Sequence, residues 1–144
     1  MINPHSSEGH KFLLTVIDYC TRWVKAVATK NSTSAVVISF LEDNILTRFG
    51  TPISLVCDNG PAFQSIEFTE WAYDNYISLK FSSNYYPQGN GLAESTNKNI
   101  IDAIKKAAGN KPRQWYTLLK YALWADRIMI KASLKTSPFL LVYG

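Results

Sequence analysis

Two apolar, β-forming runs that each close on an aspartate constrain this chain most. Residues 11–19 (KFLLTVIDY) read as a strand with Asp18 near its end, and residues 53–57 as a short buried strand followed at once by Asp58. Between them, Asn31, Ser32, Thr33 and Ser34 offer N-cap oxygens. Val37, Phe40, Leu41, Ile45 and Phe49 then recur at helical spacing over 35–49, until Gly50, Thr51 and Pro52 stop the helix. A strand–helix–strand passage of this kind returns parallel to its first strand with a right-handed crossover. As neighbours about 4.8 Å apart, the two strands bring Asp18 and Asp58 side by side at their carboxyl ends. In open α/β sheets that crevice is where ligands bind.

The remaining pattern extends the same architecture. Residues 23–29 pair antiparallel with the first strand, 67–76 form a helix and 77–81 a strand. Residues 82–91 (SSNYYPQGNG) are a polar, glycine-punctuated loop. Helices follow over 92–108 and 112–127, with Pro112 suited to a first turn, and Ser137 with Pro138 opens a last short one. The order is β-β-(β)-α-β-α-β-α-α, a mixed sheet with helices on both faces.

Composition removes whole classes of function. With 47% hydrophobic residues, 4 Trp, 8 Tyr and 7 Phe in 144 residues, the chain has material for one core, so it is read as one soluble globular domain rather than a disordered segment. The apolar runs are too short to span a bilayer, and residues 1–10 carry no secretory pattern. Cys20 and Cys57 each adjoin an apolar run and read as small buried thiols in a reducing compartment. His5 and His10 do not make zinc ligands of them, because the cysteines stand alone rather than in a close pair. Charge is uneven: residues 1–97 hold six Lys/Arg and nine Asp/Glu, residues 98–144 nine and two. The basic end suits a phosphate backbone or is a solvated helix surface.

A third acid, Glu94, falls in the first turn of the helix after the glycine-rich loop, with 35 residues between it and Asp58. Each acid also has a plain structural explanation. Asp58, in Asp58-Asn59-Gly60-Pro61, suits a turn, and Glu94 suits an ion pair with Lys98 one helical turn on. Asp18, in an otherwise apolar strand, needs a partner for a buried charge. Two carboxylates side by side call for a cation or a proton between them, and Mg²⁺ with oxygen ligands meets that need.

Residues 16–23 (VIDYCTRW), 57–63 (CDNGPAF) and 86–98 (YPQGNGLAESTNK) resemble the catalytic core of retroviral and retrotransposon integrases, the gypsy-type elements in particular. Residues 137–144 (SPFLLVYG) are similar to that family's usual core ending. The resemblance implies an RNase H-like α/β fold with a five-stranded mixed sheet flanked by helices. It divides the chain into an N-terminal extension, 1–9, and a catalytic core, 10–144. It places Asp18, Asp58 and Glu94 as the catalytic acids and as ligands of two Mg²⁺ or Mn²⁺ ions. Water then attacks in 3′-end trimming, and the freed 3′-hydroxyl attacks target DNA in strand transfer. It implies DNA contacts for Asn59, Tyr86, Gln88, Asn90 and Lys98, with Gly89 and Gly91 freeing the loop to move.

The resemblance further implies a homodimer, a higher oligomer on DNA, and action in the nucleus after a cytoplasmic particle stage. Of the helix 112–127, Trp115, Leu118, Leu119, Ala122 and Leu123 form a stripe facing either a partner or their own core, while Tyr121 and Trp124 lie off it. The chain departs from the family at Tyr86 and near Lys131, where relatives often carry His, and at Ile101, where many carry a basic residue. It lacks the terminal zinc-binding and DNA- or chromatin-binding modules of full integrases and is read as an isolated core. Ribonuclease H, with Glu42 or Asp43 as a fourth acid, a domesticated binding module and a cut-and-paste transposase are the alternatives.

Overall fold

A computed structural model describes residue 2 and residues 4–81 and 91–144. The chain forms two compact units, Met1–Lys30 with Ser95–Gly144, and Asn31–Glu94.

In the first unit, β1 (Phe12–Ile17) and β2 (Val24–Thr29) form an antiparallel hairpin, with register from Phe12 opposite Thr29 to Ile17 opposite Val24. Their β-branched and aromatic residues suit a pleated, half-buried surface. Helix α4 (Gly91–Ala108) presents Thr96, Ile100 and Ile104, each four residues apart, as one buried stripe. Pro112–Gln114 is a 3₁₀ turn leading into α5 (Trp115–Ile128), which buries Trp115, Leu119 and Leu123. These side chains close a core with Val24 and Ile2. The α5 stripe therefore faces its own core, while Tyr121 and Trp124 stay about 60% exposed.

Residues of the expected N-terminal extension join this unit. Ile2 donates its N–H to Lys11 O (2.7 Å), Ser6 is fully buried, and Trp115 Nε1 donates to Pro4 O (3.1 Å). At the other end, the short helix α6 (Pro138–Tyr143), capped by Ser137, sets Phe139 and Tyr143 against Trp23. Arg127 stacks over the Trp23 ring and donates twice to Val24 O (2.7 and 3.2 Å), and burial lowers its pKa. Asp126, buried on α5, pairs with Lys131 at 2.7 Å. Its second carboxylate oxygen has no partner among the described residues.

In the second unit, Thr33 caps α1 (Ser34–Leu41). The helix continues through a π-helical turn (Glu42–Leu46) into α2 (Thr47–Phe49), and Gly50 at φ 87 ends it. The expected single helix over 35–49 thus contains a π turn. Strand β3 (Ser54–Cys57), α3 (Ile66–Asp74) and β4 (Ser78–Phe81) make a parallel strand–helix–strand unit, with Ser54 opposite Ser78 and Cys57 opposite Phe81. Ser65 caps α3, whose Phe68 and Ala72 are buried. Two polar contacts tie α1 and the π turn to α3: Ser34 Oγ to Glu67 Oε2 (2.7 Å) and Trp71 Nε1 to Glu42 Oε1 (2.9 Å).

Among the described residues the ladders are β1–β2 and β3–β4. Each strand pair belongs to its own compact unit. Where one five-stranded sheet is expected, the described residues hold four strands in two ladders. Only residues 30–33 separate β2 from α1, and Thr33 is already its cap, too short a stretch for a strand of about five residues.

Candidate functional site

Asp18 immediately follows β1 and opens the hairpin to β2. Its N–H donates to Trp23 O (3.0 Å), its carbonyl accepts from Arg22 N–H (2.8 Å), and its Oδ1 accepts from Cys20 N–H (2.8 Å). The carboxylate is exposed, so the expectation of a charge buried within the strand is corrected. β1 ends at Ile17, one residue before the acid, so the charge stands in the exposed hairpin with the Cys20 N–H as its protein partner. Cys20, expected to be buried, sits in the same hairpin and is also exposed.

Asp58 repeats the arrangement beyond β3. Its Oδ1 accepts from Gly60 N–H at 2.7 Å, an Asx turn. A Cβ on Gly60 would lie 2.8 Å from that oxygen. Asn59 is exposed and accepts from Gln64 Nε2 (3.1 Å). Cys57 before it is buried, and burial first, then the Asp58 charge, pushes its thiol up to about 11.

Both aspartates thus spend one oxygen on the backbone two residues ahead. Their other oxygen has no hydrogen-bond partner among the described residues. Glu94, in the first turn of α4, is exposed and likewise forms no hydrogen bond or ion pair there. Lys98, one turn on, is exposed and makes no ion pair with it among the described residues. Exposed carboxylates with oxygens to spare are the hard donors that Mg²⁺ or Mn²⁺ takes. Within either unit, no three described His, Cys, Asp or Glu side chains converge as a ready-made metal cluster.

Tyr86, Gln88, Asn90 and Gly89 lie outside the described residues. Ile101 packs against the core of the first unit, which accounts for an apolar residue there. Lys131 is the partner of Asp126. The fourth-acid candidates are both engaged, Glu42 by Trp71 and Asp43 by Ser39 (3.5 Å). A cavity of about 290 Å³ in the first unit, lined by Ile2, Pro4, Ile104 and Trp115 among others, holds none of the acids. Sequence reasoning did not single out Arg22, whose backbone stands at φ 62.

A family model described as integrase core domain matches residues 2–87, more than half of the chain. The chain is 36% identical over 138 residues to the Pro-Pol polyprotein of feline foamy virus, covering 96% of this chain and 12% of that protein. It is 35% identical over 136 residues to the Gag-Pol polyprotein of avian reticuloendotheliosis virus, covering 94% and 12%. Among solved structures it is similar to the simian T-cell lymphotropic virus intasome in complex with PP2A regulatory subunit B56 gamma. That likeness has a TM-score of 0.79 at 26% identity and covers 92% of this chain and 48% of the other. It is also similar to the trimeric form of the HTLV-2 integrase catalytic core domain in complex with magnesium, with TM-score 0.70, 26% identity, and 89% and 82% covered.

The fold is of the α/β, RNase H-like class of integrase cores. The chain belongs to the integrase core domain family and is a catalytic core of retroviral type. It spans about 12% of the length of the curated relatives it matches.

Proposed function

We propose that this chain is the metal-dependent catalytic core of an integrase, a polynucleotidyl transferase that trims the 3′ ends of element DNA and joins them to target DNA. The observation that carries this reading is the D, D-35-E set within an integrase core sequence. Asp18, Asp58 and Glu94 hold two Mg²⁺ or Mn²⁺ ions. When bound, such a pair activates the attacking oxygen and stabilises the leaving oxygen of a phosphodiester. The two Asx turns hold Asp18 and Asp58 by one oxygen each and leave the other for an ion. Asn59, Tyr86, Gln88, Asn90 and Lys98 contact DNA, and Lys98 is exposed with no ion pair to Glu94 to neutralise it.

The core dimerises, with Tyr121 and Trp124 on its partner surface, and assembles further on DNA in the nucleus. Support comes from the HTLV-2 core, solved in dimeric and trimeric forms, and from the simian virus intasome. The exposure of the two aromatics adds to it.

The test is Mn²⁺-dependent disintegration of branched DNA by the parent chain beside Asp58→Asn and Glu94→Gln, with an RNA–DNA hybrid in a parallel lane. Product from the parent that is lost in both variants supports the reading. Cleavage of the hybrid alone turns it to a ribonuclease, and no product from a folded, metal-binding parent leaves a binding module.

A further inference from the structure

The hairpin after Asp18 turns at a residue poorly suited to the turn. Arg22 stands at φ 62, the left-handed region that glycine and asparagine occupy easily and that a side chain with a Cβ resists. Glycine would meet the same turn without strain. The turn is nonetheless tied directly to the acid, through Arg22 N–H to Asp18 O (2.8 Å). Strained backbone retained beside a functional group is a reason to ask what the side chain does.

That side chain is held in place by its own hairpin. Arg22 Nη1 donates to Tyr19 O, and the guanidinium carbon lies 5.7 Å from the centre of the Tyr19 ring. Among the described residues no carboxylate pairs with it, and its Nε–H and Nη2–H groups have no acceptor. Asp18, the acid nearest in sequence, turns its Oδ1 to Cys20 N–H instead. A planar cation fixed on one edge, with a donor edge left over, matches the two oxygens of a phosphate.

We propose that Arg22 is a phosphate-binding residue, its free guanidinium edge taking a backbone phosphate of the DNA strand that reacts at Asp18. The inference rests on the integrase reading above and adds to it a residue that anchors the strand. Because the fork is already ordered by Tyr19, little side-chain freedom is lost when the phosphate arrives. Its contribution is electrostatic and independent of base sequence.

The test is binding of a labelled DNA duplex by the 144-residue chain across a salt series. Parent, Arg22→Gly, Arg22→Asn and Arg22→Lys are compared, with Asp18→Asn as a variant that keeps Arg22. One lost phosphate contact lowers the slope of log K against log salt by about 0.9. The Gly and Asn variants are expected to lose that slope and about 5- to 10-fold in affinity. Both accept the left-handed backbone, so thermal unfolding within a few degrees of the parent separates lost binding from lost fold. Arg22→Lys is expected to keep the slope and to bind less tightly, since it has the charge without the fork. A parental slope in both neutral variants overturns the assignment and leaves Arg22 a contact of Tyr19 only. A folded parent that binds no DNA overturns the integrase reading itself.

Discussion

Gly60→Ala separates the position of Asp58 from its charge. The new Cβ lies 2.8 Å from Asp58 Oδ1, and to reach ordinary contact at 3.4 Å the oxygen must retreat by about 0.6 Å. The other close neighbour, Phe63 Cδ2 at 3.5 Å, needs no movement. What yields is the end of an exposed carboxylate with one soft torsion, so the backbone stays and the 2.7 Å bond to the residue 60 N–H stretches by up to about 0.6 Å and weakens. Weakening one solvent-screened, charge-assisted hydrogen bond costs up to about 1 kcal/mol. In a chain of this size that lowers Tm by about 2–4 °C. The effect on turnover is larger, because about 1 Å of misplacement costs about 100-fold in rate, so 0.6 Å removes about 10-fold or more. Disintegration rate with Mn²⁺ and Tm are measured on the same preparations. Asp58→Asn is the counterpart: its amide oxygen keeps the turn, so Tm holds while the ion-binding charge and the activity go. A Gly60→Ala chain with parental rate refutes the idea that the Asx turn positions Asp58. A loss of about 3 kcal/mol or more shows that the backbone gives way instead.

The two thiols are expected to differ. At pH 8 a colorimetric disulfide reagent titrates exposed Cys20 quickly, while Cys57, buried and pushed up to about 11, reacts only on unfolding; two equally fast thiols refute this. Since the folded pKa of Cys57 lies above the ordinary thiol value of 9.0, its contribution to stability is full below that pH and is lost as pH rises toward about 11. Cys57→Ala is therefore expected to flatten the alkaline fall of Tm relative to the parent. Lys131→Ala leaves buried Asp126 without its ion pair, at a cost of about 2 kcal/mol once the partial exposure of Lys131 is allowed for. Urea unfolding is expected to show a smaller loss for Asp126→Asn, and equal losses refute the pairing. Thr15 Oγ1 on β1 donates to Asn97 Oδ1 on α4. A double-mutant cycle of Thr15→Val and Asn97→Leu is expected to return about 1 kcal/mol of coupling, and no coupling refutes the bond.

Legibility in the sequence follows the range of the interaction. Trp115, Leu119 and Leu123 announce their shared face through the 3.6-residue period alone, and Tyr121 and Trp124 fall off it by the same rule. The Asp58-Asn59-Gly60 turn is equally local, since an Asx turn needs only its own three residues. Sheet order is not local. A four-residue apolar run such as Ser54–Cys57 says that it is a strand without saying beside which strand it lies. The exposure of Asp18 and Cys20 is hard to read for a related reason. Residues 11–19 are rich in β-formers up to Tyr19, so composition alone does not place the strand end at Ile17 rather than two residues later. Arg22 gave no warning at all, because arginine is not a residue whose presence signals a left-handed turn. The acids are nevertheless found at turns just beyond strand ends, Asp18 after Ile17 and Asp58 after Cys57. The position of an acid at the end of a strand is a local property, while sheet order is assembled from contacts distant in sequence.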